Sequence, residues 1–522
     1  MAKITFNQSI DPNDALLNIP NEIDLVTTAI SSVFEIGDAR FTLLRLEGAD
    51  FTYSAPGVPS SGILTGFSLV KNGIVAVTVT GLAPGLTLPQ VERLRLEGSP
   101  GALLRYLLAS DDEVIGGAGN QVILSEGGND TLDGGEGADY IAAGDGDDLV
   151  ISRLGQGPTG GAMEILIGGD GIDYLIIDRS DQELSFVFDV LVKDTTTMLD
   201  GTRLSGFERM EFYSGSGDDV LAGGGLADII NAGAGSDRIS GRGDNDTLSG
   251  GDGADHIDGG SGNDLITGDE GTDILDGGKG NDTIDGGAQA DNLFGGDEDD
   301  VLNGGDGADY IEGGLGNDLL DGGRGPDVLC GGHGNDLYNV DNPNDVLFEA
   351  DGEGFDVVIA SGSYDLTSAA EIELLRTVDP KGKSALNLKG NGYANIIEGN
   401  AGANTINGLG GSDTLKGGRG RDIFVFNTEL NKKNVDKVLD FRVKDDSFRL
   451  SKAVFKEITG HKVLDAAAFC VGQKAADADD RIIYNPRTGR LYYDADGSGE
   501  IKAILFAKLT KGLKLTELDF LI

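Results

Sequence analysis

The stretch SGSGDDVLA-GGGLADIIN-AGAGSDRIS begins at Ser214 and opens a run of fourteen nonapeptides in unbroken phase over residues 214–339. The sixth position is Asp in all fourteen, and the eighth is Leu or Ile in thirteen, with Tyr338 in the last. Gly fills the second position in twelve, the exceptions being Arg242 and Asp269, and the fourth position in ten. Repetition at a fixed short period indicates a solenoid, in which each unit buries its apolar face only by stacking on a neighbour.

Each nonapeptide has one obligatory aliphatic residue, which predicts a strand of only about three residues. The six Gly-rich residues before it predict a tight turn that needs positive φ and close backbone approach. Two strand-turn units that face opposite ways make one coil of eighteen residues. The predicted fold is therefore all-β, a flattened parallel β-roll filled by two ladders of aliphatic side chains.

The invariant Asp needs a separate explanation. Coils stacked about 4.8 Å apart would align the sixth-position carboxylates of every second repeat, for example Asp255, Asp273 and Asp291. Rows of like charges at this spacing repel one another unless a counterion neutralises them. Carboxylates and turn carbonyls offer the oxygen ligands that Ca²⁺ takes, whereas Mg²⁺ demands stricter octahedral geometry and keeps its water. The pattern therefore predicts multiple Ca²⁺ ions as the cofactor.

The pattern GGxGxDxUx, where U is a large aliphatic residue, closely resembles the RTX (repeats-in-toxin) family. This resemblance implies a parallel β-roll with calcium held between successive turns on each side. The alternative, a disordered acidic Gly-rich linker, does not account for the phased Leu and Ile positions.

The predicted calcium ligands are the Asp residues at the sixth position of each repeat, including two shorter blocks. In the first block Gln121 stands where Asp belongs, and in the second Asn395 and Asn404 do, so we expect weak or absent calcium at the two Asn turns. The full predicted set is Asp130, Asp139, Asp148, Asp173, Asp219, Asp228, Asp237, Asp246, Asp255, Asp264, Asp273, Asp282, Asp291, Asp300, Asp309, Asp318, Asp327, Asp336, Asp413 and Asp422.

Changes in the period predict seven segments along the chain. They are a small N-terminal β domain (1–110), a short degenerate repeat block (111–176), inserted strands (177–213), the main roll (214–339), an irregular β connection (340–389), a second repeat block (390–425) and a β-rich C-terminal cap (426–522). Within the cap, alternating apolar positions around Thr488-Gly489 predict a hairpin.

The bulk composition excludes several classes of function. The chain carries 88 acidic and 40 basic residues, a net charge of −48, so nucleic acid is not an expected partner. Its two cysteines, Cys330 and Cys470, provide no disulfide framework. No apolar run reaches the length of a transmembrane segment.

The C-terminal region resembles that of serralysin-type RTX proteins. The matching pieces are the GNxxAN repeats, DIFVF at 422–426 and NVDKVLDF at 434–441. The chain ends in Asp519, Phe520, Leu521 and Ile522, an acidic residue followed by three apolar ones. In that family such an ending is the uncleaved signal of a type I exporter of Gram-negative bacteria. The first residues lack the charged start and apolar core of a cleaved signal peptide, which agrees with this route.

The sequence lacks the motifs of the enzymes that share this tail. Its three histidines, His256, His333 and His461, do not form HExxH, so serralysin-type zinc protease chemistry is not expected. The Gly-x-Ser-x-Gly elbow of the related lipases does not occur, and the 110 N-terminal residues are too few for the catalytic β-helix of an alginate epimerase. We therefore expect no enzymatic activity.

These observations predict a secreted, extracellular calcium-binding protein of a Gram-negative bacterium, folded by external Ca²⁺. Its expected partners are calcium ions, the type I secretion apparatus, and extracellular polysaccharide or a host or cell surface, to which it could stay attached. The alternative is a secreted enzyme or toxin whose activity resides in the N-terminal domain.

Overall fold

The computed structural model describes residues 111–522 apart from 117–121, 154–163, 190–195, 199–201 and 369, together with five strands before residue 81. The remainder of 1–110 and Gln121 lie outside the described residues. The chain divides into two compact units, Met1–Thr267 and Gly268–Ile522, and each is considered by itself.

The N-terminal strands form an antiparallel sheet in the order β2-β3-β4-β5-β1. Strand β1 also pairs in parallel with Glu113–Ile115, the strand that follows this region. The backbone of the N-terminal sheet therefore continues into the first coil of the roll. The strands are β1 (Lys3–Phe6), β2 (Val33–Ile36), β3 (Leu43–Ala55), β4 (Val58–Lys71) and β5 (Ile74–Thr80).

The rest of the first unit is a parallel solenoid in which strands of successive coils pair, in most cases strands two positions apart along the chain, with one short antiparallel pair. Its strands are β6 (Glu113–Ile115), β7 (Val122–Leu124), β8 (Thr131–Glu136), β9 (Tyr140–Asp145), β10 (Leu149–Arg153), β11 (Ile165–Asp170), β12 (Tyr174–Asp178), β13 (Val187–Asp189), β14 (Thr196–Thr197), β15 (Arg203–Ser205), β16 (Arg209–Tyr213), β17 (Val220–Ala222), β18 (Ile229–Asn231), β19 (Arg238–Gly243), β20 (Thr247–Gly253), β21 (His256–Ser261) and β22 (Leu265–Gly271), the last of which contains the division between the units.

The second unit repeats this arrangement, again with parallel pairing between alternate strands. Its roll contains β23 (Ile274–Lys279), β24 (Thr283–Ala288), β25 (Asn292–Asp297), β26 (Val301–Asp306), β27 (Tyr310–Leu315), β28 (Leu319–Asp321), β29 (Val328–His333), β30 (Leu337–Val340), β31 (Val346–Phe348), β32 (Val357–Ala360), β33 (Tyr364–Asp365), β34 (Leu374–Thr377), β35 (Asn387–Lys389), β36 (Ile396–Glu398), β37 (Thr405–Asn407), β38 (Thr414–Lys416), β39 (Ile423–Phe426), β40 (Asp436–Val438) and β41 (Ser447–Leu450). Many strands run six residues rather than three, because pairing continues from the aliphatic residue into the glycines that follow.

The core consists of the two predicted aliphatic ladders. In the first unit Leu221, Ile239 and Ile257 stand in register, each almost completely buried. The second unit aligns Leu293 with Ile311 in the same way. Each coil therefore buries one large side chain per strand between two thin sheets, and the all-β parallel roll predicted from the repeat is confirmed.

Two segments that lose the sequence period keep their place in the roll. The prediction for 177–213 was inserted strands, yet β12 and β16 pair with each other and β16 pairs with β18, within the same parallel ladder. A buried ion pair, Arg179 Nη2 to Glu164 Oε2 at 2.8 Å, lies within this part of the unit. The irregular segment 340–389 likewise contributes β32 and β34 to the ladder. Strand pairing tolerates turns of variable length, so loss of the period did not end the solenoid.

The turns impose a left-handed backbone whether or not glycine is present. Arg242 and Asp269, the two residues that replace glycine at the second position, have φ values of 78° and 70°. At the fourth position Asp244, Gln289 and Glu298 are also left-handed, with φ between 64° and 83°. Since such φ values are strained for residues with a Cβ, the stacked coils determine the turn conformation and glycine relieves its cost.

The C-terminal residues cap the second unit. They contain β42 (Phe469–Val471), β43 (Ile482–Asn485), β44 (Arg490–Tyr493), β45 (Ile504–Lys508), β46 (Phe520–Leu521) and two 3₁₀ turns, Ala466–Ala468 and Glu517–Asp519. Strands β43 and β44 form the predicted hairpin. Strand β45 pairs with β40 and β46 pairs with β41, so each sheet of the roll gains a final strand from the cap. Within the described part of the chain, no helix is long and apolar enough to cross a membrane.

Replacing one ladder residue tests whether the thin core stabilises the roll. We expect Leu302→Ala to lower the free energy of unfolding by about 2–5 kcal/mol, because Leu302 is completely buried and its neighbours cannot fill the cavity. The adjacent Val301 is 42% exposed, so Val301→Ala should change stability by less than about 0.5 kcal/mol. Denaturant unfolding at saturating Ca²⁺ measures both variants, and equal losses would contradict this account of the core.

Candidate metal-binding turns

The sixth-position carboxylates form files along each side of the roll. In most repeats the backbone N–H of the Asp donates to Oδ1 of the Asp one coil further on, for example from Asp300 to Asp318 at 2.8 Å. In the first unit the same bond joins Asp237 to Asp255 at 2.7 Å. The N–H of Asp173 donates instead to Glu208 Oε2 at 2.9 Å. One carboxylate oxygen in each turn is therefore fixed by the preceding coil, which holds the side chain in a single orientation.

All of the predicted aspartates within the repeats are buried, and the coil spacing brings them together in files. Hydrogen bonds between successive coils connect Asp130–Asp148–Asp173, Asp219–Asp237–Asp255, Asp228–Asp246–Asp264, Asp273–Asp291–Asp309–Asp327 and Asp282–Asp300–Asp318–Asp336, while Asp413 and Asp422 accept from Asn395 and Asn404. Asp139 is 1% exposed and lies in the first block.

The second oxygen, Oδ2, of many of these carboxylates lacks a donor among the described residues and faces another acceptor. Asp291 Oδ2 and the carbonyl oxygen of Gly304 lie 2.8 and 2.7 Å from the same point, the position that a Cβ on Gly286 would take. Neither is a hydrogen-bond donor, so a carboxylate and a carbonyl point into one small space. Among the described residues, Oδ2 is buried without a hydrogen-bond partner in Asp148, Asp173, Asp237, Asp246, Asp291, Asp300, Asp309, Asp318, Asp327, Asp336, Asp413 and Asp422.

This arrangement raises the pKa of the aspartates. Burial raises the pKa of Asp246 and of Asp300 to about 8, and the neighbouring carboxylates of the same file add to the rise. The pKa of Asp237 and of Asp291 rises to about 7 for the same reasons. Ionised carboxylates in these files therefore destabilise the folded, metal-free protein, and this destabilisation disappears when a cation or a proton lies between the oxygens.

The Asn404 turn shows how the same space is satisfied without charge. The Asn404 amide nitrogen donates to the carbonyl oxygen of Gly417 at 3.1 Å and to that of Gly402 at 3.1 Å. Gly417 follows Asn404 by thirteen residues, the offset that relates Gly304 to Asp291. An N–H thus occupies the position that a cation would take in an Asp turn such as that of Asp291. At Asn395 the amide nitrogen donates instead to the Ile372 carbonyl at 2.6 Å, and Oδ1 faces the carbonyl oxygen of Gly408 across the position that a Cβ on Gly390 would take. Weak or absent calcium at the two Asn turns remains a prediction.

Five further aspartates belong to the files but were not predicted. The first two are Asp112, whose backbone N–H donates to the Asp130 carboxylate, and Asp345, whose carboxylate accepts the backbone N–H of Asp327. The other three follow longer coils. The carboxylates of Asp356, Asp436 and Asp446 accept the backbone N–H groups of Asp336, Asp413 and Asp422, at separations of 20, 23 and 24 residues. Each of the five precedes by two positions a buried apolar residue, so the short pattern Asp-x-aliphatic or Asp-x-aromatic is the signal that a strict period of nine missed.

The comparisons with known proteins agree with this geometry. The model of the RTX calcium-binding nonapeptide repeat, four copies to each match, matches residues 115–150, 213–248, 249–284, 285–320, 312–347 and 389–424. No curated protein matches the chain. The matched stretches are RTX calcium-binding nonapeptide repeats, and such repeats bind Ca²⁺.

The turns fit that ion. Ca²⁺ accepts six to eight oxygen ligands at about 2.3–2.6 Å in flexible geometry. Among the described residues, the Asp291 turn supplies a buried carboxylate oxygen without a donor and the carbonyl oxygen of Gly304 beside it, and Oδ2 likewise lacks a donor in the eleven other aspartates named above. In Asp130, Asp219 and Asp228, Oδ2 accepts a hydrogen bond from Ser125, Ser214 and Gly224 respectively. Sixth-position aspartates and turn carbonyls would therefore hold the ions, which neutralise the files and join successive coils.

The crowding at the first repeat position provides a direct test. We expect Gly286→Ala to weaken calcium binding and to destabilise the second unit, because its Cβ would lie 2.7 Å from Gly304 O and 2.8 Å from Asp291 Oδ2. Gly392→Ala is the control, since no atom lies within 4 Å of its added Cβ. Calcium titration by calorimetry, with thermal unfolding alongside, measures both variants, and indistinguishable titrations would contradict the proposed ligand geometry.

The raised pKa values predict an unusual pH dependence in the calcium-free protein. Between about pH 4 and pH 8 the folded chain binds more protons than the unfolded chain, whose Asp pKa is about 3.9. Stability is thus present at low pH and lost as the pH rises through the folded pKa values of about 6–8. Circular dichroism of metal-stripped protein should show more β structure at pH 5 than at pH 8.

Saturating calcium is the control for this experiment. Protons then compete with the bound ions for the carboxylates, so the β signal should be weaker at pH 5 than at pH 8. A β signal that rises with pH in the metal-stripped protein would show that the files do not control its folding.

Proposed function

We propose that this chain is a secreted protein whose roll folds when it meets extracellular Ca²⁺. The observation that carries the proposal is the files of buried carboxylates whose Oδ2 atoms lack donors among the described residues. Without metal these charges oppose the stacking of coils, and with metal they become the bonds between coils. Binding and folding are then a single event, as in other proteins whose metal site does not exist in the unfolded chain.

The energies are consistent with a switch. Extracellular sites of this chemistry have dissociation constants of about 10⁻⁴–10⁻³ M. At millimolar calcium one such site adds only about 1 kcal/mol by mass action. Around a dozen sites between adjacent coils together offset the repulsion, so the transition is expected to be cooperative. Where free calcium is scarce, as in a bacterial cytosol, the same chain stays open.

Export before folding is the second part of the proposal. The terminal residues that resemble a type I secretion signal are built into the folded cap. Phe520 is completely buried and its ring stacks on Phe448, with centroids 5.3 Å apart. Asp519 caps the last 3₁₀ turn, where its carboxylate accepts the Thr516 N–H at 2.7 Å. An exporter could read these side chains only while the chain is unfolded, which supports calcium-triggered folding after secretion.

The biological role that we propose is non-enzymatic contact with extracellular polysaccharide or with a host or cell surface. The absence of protease and lipase motifs from the sequence supports it. The alternative is an enzyme or toxin activity in residues 1–110. Because β1 pairs with β6, the full chain should be used to separate the two. Calcium-dependent binding to polysaccharide or cells without turnover supports the first role, and turnover of a sugar, lipid or peptide substrate supports the second.

Chelation tests the folding switch directly. At neutral pH and with excess chelator, far-ultraviolet circular dichroism should lose most of its β signal, because the ionised files repel. Adding 5–10 mM Ca²⁺, about ten times the weakest expected dissociation constant, should restore the signal steeply. The same concentration of Mg²⁺ is the control and should restore little. Identical spectra with chelator and with calcium would refute the switch.

A further inference from the structure

The coil at the end of the main array contains a buried glutamate, Glu349. Cys330 pairs with Phe348, and the residues that follow them are Gly331 and Glu349. Glu349 thus takes the first position of a turn, where twelve of the fourteen nonapeptides have glycine. The coil is also longer, since Asp356 follows Asp336 by twenty residues instead of eighteen. This coil therefore has two more residues than a regular coil and carries the Glu349 side chain at a position where a regular turn leaves no room for a Cβ.

The residue opposite this glutamate is also exceptional. Tyr338 replaces the aliphatic residue of the ladder and is completely buried. Its hydroxyl accepts the N–H of Gly331 at 2.6 Å and donates to Glu349 Oε2. The two departures from the repeat, Tyr338 and Glu349, therefore form one hydrogen-bonded pair, which fixes the direction of the glutamate carboxylate.

This carboxylate points into a group of three. One oxygen from each of Asp336, Glu349 and Asp356 lies within 4.8 Å of the others, and the residues are 1%, 4% and 1% exposed. Asp336 Oδ2 and Glu349 Oε1 are buried and have no hydrogen-bond partner in the described part of the chain. Burial raises the pKa of Glu349 to about 8, and the groups that raise it further are the carboxylates of Asp356, Asp336 and Glu353.

We propose that Asp336, Glu349 and Asp356 form a calcium site distinct from the nonapeptide sites. No two of these oxygens are more than 4.8 Å apart, which is about twice the Ca²⁺–oxygen distance of 2.3–2.6 Å, so one ion can contact all three carboxylates. Mg²⁺ fits less well, because it demands near-ideal octahedral geometry and keeps several of its waters.

The third carboxylate gives this site a property that the repeats lack. A regular turn contributes sixth-position aspartates and neutral carbonyls, whereas this turn adds a side-chain charge in place of glycine. Affinity for Ca²⁺ rises with the number of charged ligands and with their rigidity. The site at the end of the array is therefore the tightest of the roll and the first to fill. This inference concerns the folded chain and does not depend on export or on the surface role.

Terbium provides a probe that reports on this site, because Tb³⁺ replaces Ca²⁺ and its luminescence is excited through a nearby tyrosine. The full-length protein should show a high-affinity phase on Tb³⁺ titration, which Tyr338→Phe abolishes. Glu349→Gln keeps the shape and removes the charge, so it should move the midpoint of that phase at least tenfold higher. Excess Ca²⁺ should quench the phase in the unmodified chain.

Glu312→Gln is the matched control. Glu312 accepts a hydrogen bond from Tyr310 at 2.8 Å but lies exposed on the outer face, so its substitution should leave the high-affinity phase unchanged. A midpoint for Glu349→Gln equal to that of the unmodified chain would overturn the proposal.

If Glu349→Gln does not fold, crystals of the unmodified protein grown with Tb³⁺ decide the question. An anomalous peak that contacts all three carboxylates supports the site. Peaks in the nonapeptide turns, with none beside Glu349, overturn it.

Discussion

The contact between a buried carboxylate oxygen and a carbonyl oxygen, as at Asp291 and Gly304, governs this structure. Oδ1 of Asp291 is bound by the N–H of the preceding coil, which leaves Oδ2 facing Gly304 O. Two acceptors in one buried space repel unless a proton or a cation lies between them. The twelve aspartates whose Oδ2 lacks a donor in the described part of the chain therefore oppose the stacking of coils, and bound calcium would replace this repulsion with bonds that join the coils.

The hydrophobic part of the structure is too thin to decide the fold alone. Each strand of the roll buries about one aliphatic side chain, such as Leu293 or Leu302, and a core of this kind offers limited apolar area for each ordered residue. Glycine-rich turns add to the entropy that folding must overcome. In the proposed folding switch the ladders determine register and the ions supply stability, so the same chain would be open in one environment and folded in another.

The ends of the array show how the roll is completed. Strand β1 from the N-terminal sheet pairs with β6, and β45 and β46 from the cap pair with the last strands of the second unit. These contacts cover backbone groups that would otherwise offer exposed edges for aggregation. In the cap, the stacked rings of Phe441, Phe448 and Phe520 replace the aliphatic ladder, so the capping contacts are apolar and do not require metal.

The sequence by itself determined the roll, its two ladders and the sixth-position aspartates, because a period of nine with fixed Gly, Asp and Leu or Ile positions admits one way of stacking. It could not reveal that residues 177–213 and 340–389 continue the ladders, since coils of irregular length erase the period while strand pairing persists. Only the tertiary structure brought Asp356 and Glu349 beside Asp336, and turned the Asn404 amide toward the carbonyl of Gly417. Those contacts join residues of different coils, and their distances depend on how each turn folds rather than on residue spacing.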